Sequence, residues 1–102
     1  MTTRYDAIIV GAGQAGPPLA GRLTAAGQTV AVIERKLVGG TCVNTGCIPT
    51  KTLVASAHVA HSARRSAEYG IGTGDVVVDM AKVKARKDAI SQGDRELSLI
   101  HI

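Results

Sequence analysis

Residues 5–16 read YDAIIVGAGQAG. The first six are a nearly continuous apolar run that stops abruptly at three closely spaced glycines. Such a run suits a parallel strand covered on both faces, and the glycines suit a tight turn leading directly into another element. That next element is PPLAGRLTAAG, residues 17–27, where Leu19, Ala20, Leu23 and Ala26 fall at helical spacing and Gly27 supplies a stop. Pro17 and Pro18 fall in its first turn, where proline is tolerated, although two in succession predict an irregular start. A second apolar run, TVAVIE, occupies residues 29–34. Strand, glycine turn, helix and strand together predict one βαβ unit over residues 4–35 and an α/β fold.

Gly11, Gly13 and Gly16 have the G-x-G-x-x-G spacing, which is weak evidence alone but here sits between a strand and a helix. Glu34 ends the second strand 18 residues beyond Gly16, where a dinucleotide site places its ribose-binding acid. In this reading Gly11 permits the turn, Gly13 lets the backbone approach a pyrophosphate, and Gly16 allows the helix to pack on the strand. The start of the helix then offers N–H groups and a positive dipole end to the phosphates. A carboxylate at Glu34 accepts hydrogen bonds from both ribose hydroxyls and repels a 2′-phosphate, so this first site is expected to take FAD or NAD rather than NADP. A glycine turn with an ordinary surface glutamate is the plainer reading, but it leaves the agreement of context and spacing unexplained.

Composition limits the other possibilities. The chain has 102 residues, is 45% apolar, and contains two Tyr but no Phe or Trp, so its core must be built from aliphatic side chains. The net charge of +4 is carried by pairs such as Arg64-Arg65 and by Lys82, Lys84, Arg86 and Lys87. No aromatic residues are interleaved among these charges to stack on bases, so solvated helix faces explain them and no nucleic-acid partner is expected. AIIV ends at Gly11, far short of a membrane span or signal peptide, and a cytoplasmic location without a membrane partner is expected.

The only cysteines, Cys42 and Cys47, lie in GGTCVNTGCIPTK, residues 39–51. In a reducing compartment such a pair points to catalysis or metal binding rather than to a staple. Four intervening residues do not match C-x-x-C, and there is no second pair, so no structural zinc site is expected. His58 and His61 could join the cysteines in principle, but a solvated helix face is the simpler reading. After this segment an Ala-rich helix is expected from about Thr50 to residue 68, broken by GIGTGD at 70–75. VVV at 76–78 reads as a short strand, and Asp79 as the N-cap of a polar helix, MAKVKARKDAISQ. The ending LSLIHI, residues 97–102, fits ctg tct ctt ata cac atc at the DNA level, which resembles a transposon-end adapter used in sequencing libraries. It is read as a non-native tail.

GGTCVNTGCIPTK, behind GAGQAG and a strand ending in Glu34, resembles the redox-active segment of the flavoprotein disulfide reductases (pyridine nucleotide-disulfide oxidoreductases). The resemblance spans residue 4 to about residue 90. It implies that residues 1–96 are the N-terminal part of a Rossmann-like FAD-binding domain, incomplete by itself, with the redox-active segment at 39–51. It also implies that the glycine turn holds FAD, that NAD(P)H is the electron donor and binds elsewhere, and that the complete protein is a homodimer. Cys42 would be the interchange thiol that meets a small disulfide or metal-ion substrate such as Hg(II). Cys47 would lie against the flavin, and Lys51 would stabilise charge on the reduced ring. Gly39 and Gly40 would let the backbone pass close to the flavin, and Thr41 would help hold it. Cysteines at or just before a helix start, with Lys51 nearby, have their thiolates favoured, which suits thiol–disulfide exchange. Thr45 and Thr50 resemble the mercuric-reductase-like branch, and Ile48-Pro49 also suits dihydrolipoyl dehydrogenases. Two other readings are an inactive FAD-binding stub of poor solubility and a small metal-trapping thiol protein.

Overall fold

The structure is a computed structural model that describes residues 1–99. It contains β1 (Ala7–Val10), α1 (Gly16–Ala25), β2 (Val30–Ile33), α2 (Gly40–Asn44), α3 (Cys47–Arg64), a single 3-10 turn (Ser66–Tyr69) and α4 (Met80–Leu99). β1 and β2 pair in parallel, Ala7 opposite Val30 through Val10 opposite Ile33, with α1 as the connection. The predicted βαβ unit is therefore present, with strands a little shorter than the apolar runs.

Local chemistry accounts for its boundaries. Asp6 does not extend β1; its Oδ2 accepts the Thr29 N–H and hydroxyl, both at 2.8 Å, tying the two strand starts together. Pro17 and Pro18 lie within the first turn of α1 without disturbing it, contrary to the expected irregular start, because those positions need no intrahelical N–H. The first bond runs from the Leu19 N–H to the Ala15 carbonyl at 3.2 Å. Gly27, at φ +83°, ends the helix as predicted. Its N–H reaches the Thr24 carbonyl at 2.9 Å and that of Gln28 reaches Leu23 at 3.1 Å, the paired bonds of a Schellman stop.

β1 is not covered on both faces. Ile9 packs toward α1, with its Cγ2 close to Gly16, whereas Ile8 and Val10 are 61% and 83% exposed. Among the described residues nothing lies over that face, leaving the sheet half bare, as expected for a doubly wound fold with only two strands.

The second half differs more from expectation. A short helix, α2, precedes α3, and α3 starts at Cys47 rather than near Thr50. Gly70, at φ +76°, closes the 3-10 turn, and the chain then runs irregularly to Asp79. Residues 76–78 form no strand: Val77 is 88% exposed, no strand among the described residues pairs with it, and β propensity without a ladder does not make one. Asp79 does cap α4, its Oδ1 accepting the N–H groups of Ala81 at 3.0 Å and Lys82 at 3.2 Å. α4 continues through Gly93 to Leu99, so Leu97–Leu99 of the suspected tail extend the helix, while residues 100–102 lie outside the described residues.

α3 and α4 pack antiparallel as a long hairpin, and α4 also touches α2. The molecule measures 69 × 24 × 16 Å with a radius of gyration of 20.3 Å, against about 13 Å for a compact domain of this size. Among the described residues the buried aliphatic side chains are Ala12, Ala20 and Val43, in the glycine turn, α1 and α2, with Pro17 and Pro49 also buried, on α1 and α3.

Candidate functional site

The glycine turn joins β1 to α1. Gly11 adopts φ +104°, a conformation that side chains disfavour, and its N–H closes the end of the sheet on the Ile33 carbonyl at 2.7 Å. A Cβ on Gly16 would stand 2.3 Å from the Gly11 carbonyl oxygen, so only glycine lets α1 begin this close to the turn. The start of α1 has no side-chain cap, which leaves its first N–H groups for a ligand. Pro17 and Pro18 bring none, so the donors available are those of the turn and of Gly16.

Glu34 reaches back from the end of β2 to this turn. Its Oε2 accepts the Ala12 N–H at 2.9 Å and its Oε1 accepts the Lys36 N–H at 2.8 Å. These bonds, Ala12 first and then Lys36, hold its carboxyl below the usual carboxylate range. Each oxygen retains a free lone pair for a hydroxyl donor. Gly11, Glu34, Gly40 and Thr41 all line one groove of about 570 Å³, together with Asn44. Gly13 faces a neighbouring hollow of about 540 Å³ beside α1, and Gly16 is buried. The positive-φ turn, the uncapped start of α1 drawn close to it at Gly16 and the carboxylate beside an open groove fit a dinucleotide such as FAD.

The cysteine segment docks on the same turn. The Gly39 N–H donates to the Ala12 carbonyl at 2.7 Å, and the Gln14 side-chain amide donates to the Gly39 carbonyl at 3.3 Å. A Cβ on Gly40 would meet the Gly13 Cα at 2.7 Å, so the two backbones cross in contact. Gly40 therefore has a second use beyond approach to a ligand, because its lack of a side chain lets the cysteine segment lie against the glycine turn, whereas a Cβ on Gly13 would meet the Gly40 Cα at an ordinary 3.8 Å.

Both cysteines are free thiols, Cys42 half-buried in α2 and Cys47 exposed as the first residue of α3. A hydrogen bond to Cys47, then burial, then the nearby Cys47 charge push the Cys42 thiol above its ordinary value. The N–H groups of Cys47 and Ile48, at the start of α3, act in the opposite direction. The expected easing of ionisation at a helix start therefore does not prevail at Cys42, where the adjacent thiol outweighs the backbone donors. Lys51 is exposed one turn beyond Cys47 on α3.

His58 and His61 lie farther along α3, both exposed, beside a separate hollow of about 460 Å³ that Arg65 and Tyr69 share. His58 is about 16 Å along the helix axis from Cys47. Among the described residues no three His, Cys, Asp or Glu side chains gather as metal ligands, and no helix is long and apolar enough to cross a membrane.

Sequence reasoning missed Asn44 and Arg95. The Asn44 side-chain amide donates to the carbonyls of Gly40 at 2.9 Å and Val38 at 3.1 Å, and its Oδ1 accepts from Arg95 Nε at 2.8 Å. Arg95 is 51 positions away on a helix that sequence alone gave no reason to place here.

Known proteins share this arrangement. The chain is 42% identical over 91 residues to dihydrolipoyl dehydrogenase of Acholeplasma laidlawii, covering 88% of this chain and 27% of that protein. It is also 42% identical over 89 residues to mercuric reductase of Bacillus cereus, covering 86% of this chain and 14% of that one. The fold matches the Cu(II) complex of the HOCl-induced flavoprotein disulfide reductase RclA from Escherichia coli with a TM-score of 0.71 and 34% identity, covering 99% of this chain and 20% of that one. The chain thus spans about a quarter or less of the length of these relatives. The pyridine nucleotide-disulphide oxidoreductase family matches residues 5–99, nearly the whole chain, and the protein belongs to that family.

Proposed function

We propose that residues 1–96 are the FAD-binding and redox-disulfide segment of an NAD(P)H-dependent flavoprotein reductase that acts as a homodimer on a small disulfide or a metal ion. The observation that carries this reading is the docking of the cysteine segment on the glycine turn, through the 2.7 Å Gly39–Ala12 bond and the Gly13–Gly40 crossing. A dithiol held against a dinucleotide cradle has an electron source beside it.

Gly11, Gly13 and Gly16 would hold the pyrophosphate, Glu34 the ribose, and Gly40 and Thr41 the portion nearer the cysteines. When bound and reduced by NAD(P)H, FAD would supply the pair of electrons that, with two protons, turns the Cys42–Cys47 disulfide into a dithiol. Cys42, as the interchange thiol, attacks a substrate disulfide as its thiolate and forms a mixed disulfide, releasing one thiol. Cys47 then attacks Cys42, releases the second thiol and closes the Cys42–Cys47 disulfide, so two electrons and two protons have passed to the substrate. Lys51, one turn from Cys47 on α3, would stabilise negative charge on the reduced ring. With a soft metal ion such as Hg(II) the same thiols serve as ligands.

Equal identity to a dihydrolipoyl dehydrogenase and a mercuric reductase leaves dithiol oxidation as the second reading. The Cu(II) complex of RclA adds copper to the ions worth testing. Titration of the protein with FAD, followed by alkylation and mass measurement of Cys42 and Cys47 after NADH or NADPH is added, tests the proposal. Saturable flavin binding with nicotinamide-dependent appearance of both thiols is expected of the complete reductase. Flavin binding without that appearance would leave a binding stub, and Hg²⁺ uptake without any flavin would favour a metal-trapping protein. Sequencing the source DNA across the codon for Glu96 tests whether residues 97–102 are native.

A further inference from the structure

The geometry points to Arg95 as a positioning residue for the dithiol, acting through Asn44 to hold Cys42 opposite Cys47. This rests on the reading of the two cysteines as a redox pair.

The cysteines stand on different helices, Cys42 on the five-residue α2 and Cys47 at the start of the 18-residue α3. A helix of barely more than one turn has no stability of its own, so its position depends on what holds it. Asn44, its last residue, does this with one amide. Its Nδ2 bonds the Gly40 carbonyl at the start of α2 and ties the helix to the preceding loop through the Val38 carbonyl, while its Oδ1 takes the Arg95 Nε hydrogen. Carbonyls accept only and guanidinium donates only, so the two sides together permit a single orientation of the amide. Arg95 brings a positive charge to this bond, which strengthens it.

α4 also reaches α3, where Arg86 Nη1 donates to the Thr52 carbonyl at 3.4 Å. One helix thus braces both cysteine-bearing helices at separate points, Arg95 on α2 and Arg86 on α3. The Arg86 contact lies beyond the first turn of α3, away from the thiols. Arg95 is therefore the contact whose loss frees Cys42 specifically, lowering its effective concentration at Cys47 without removing either thiol or any groove-lining glycine.

The test is the dithiol–disulfide equilibrium of the full chain, held dilute in glutathione buffers without flavin or nicotinamide and read by alkylation and mass. Cys42 and Cys47 together lose two electrons and two protons, and oxidised glutathione becomes two glutathione thiols. Arg95→Met should weaken the internal disulfide about tenfold, an upward shift of about 30 mV for a two-electron couple. Arg95→Lys, which keeps a charged donor, should stay within about threefold of the parent, and Arg86→Met should leave the equilibrium unchanged. Asn44→Ala, which also loses the Gly40 and Val38 bonds, should weaken the disulfide at least as much as Arg95→Met, and the double variant should be no weaker than Asn44→Ala alone. Should Arg95→Met fail to fold, Arg95→Gln gives the same comparison. A parent chain that forms no internal disulfide overturns the redox-pair reading itself. A parent that forms one while the Arg95 variant matches it, or while Arg86→Met shifts it equally, overturns the role of Arg95 alone.

Discussion

Replacing Gly40 by alanine tests the crossing on which the site depends. Gly40 has φ +69°, and the added Cβ would stand 2.7 Å from the Gly13 Cα, well inside the 3.4 Å at which ordinary contact begins. The left-handed backbone costs about 1 kcal/mol with a side chain present. The overlap with a backbone carbon, which cannot rotate aside, costs about 2 kcal/mol more. The chain relieves about 3 kcal/mol by lifting the cysteine segment off the glycine turn, and the groove is formed between those two segments. FAD affinity should therefore fall roughly 100-fold, at a tenfold change for each 1.4 kcal/mol. Titration followed by flavin fluorescence measures this, and hydrogen exchange at the Gly39 N–H reports the lifting directly, because that group is bonded to Ala12. Gly72→Ala is the control, since a Cβ there meets nothing within 4 Å. Affinity for Gly40→Ala within about threefold of the Gly72→Ala value would refute the argument and show that the crossing yields at little cost.

Cys47→Ala removes the leading cause that raises the Cys42 thiol and should move the midpoint of Cys42 alkylation to lower pH; an unchanged midpoint would mean that burial, not the adjacent thiol, sets it. Asp6 and Glu34 are both held below the ordinary carboxylate range, Asp6 by the Thr29 N–H and hydroxyl and Glu34 by the N–H groups of Ala12 and Lys36. Their stabilisation is fully present above the unfolded carboxylate pKa and is lost as pH falls through the depressed folded values. Amide exchange at Thr29 should thus stay protected down to the ordinary carboxylate range and fail below it, whereas Asp6→Asn should flatten its share of that acid loss. The bare face of β1 should make the chain prone to associate and to bind an apolar dye; a clear, monomeric, cooperatively melting sample would contradict this.

What could be read from the sequence is local, and what could not depends on distant chain. The turn from Val10 to Gly16 was legible because its glycines answer requirements a few ångströms away: Gly11 needs positive φ, and Gly16 has the Gly11 carbonyl against it. Glu34 was legible because a strand length and a crossover place it opposite that turn. The 76–78 segment misled because valine propensity says nothing of whether a neighbouring strand exists, and among the described residues none pairs with it. The double role of Gly40 was hidden for a different reason. A motif assigns each glycine a ligand, but the backbone of residue 40 meets that of residue 13 only once the fold has folded the cysteine segment back, and spacing within either motif carries no trace of the meeting. Arg95 is the extreme case, an ordinary charge on a polar helix until α4 runs antiparallel to α3 and reaches α2. The cysteine pair was thus readable from thirteen contiguous residues, while the side chains that brace its two helices come from the other end of the chain. On the proposed reading of Cys42 and Cys47 as a redox pair, variants in α4, outside any recognisable motif, should change the potential of the pair while its chemistry stays the same.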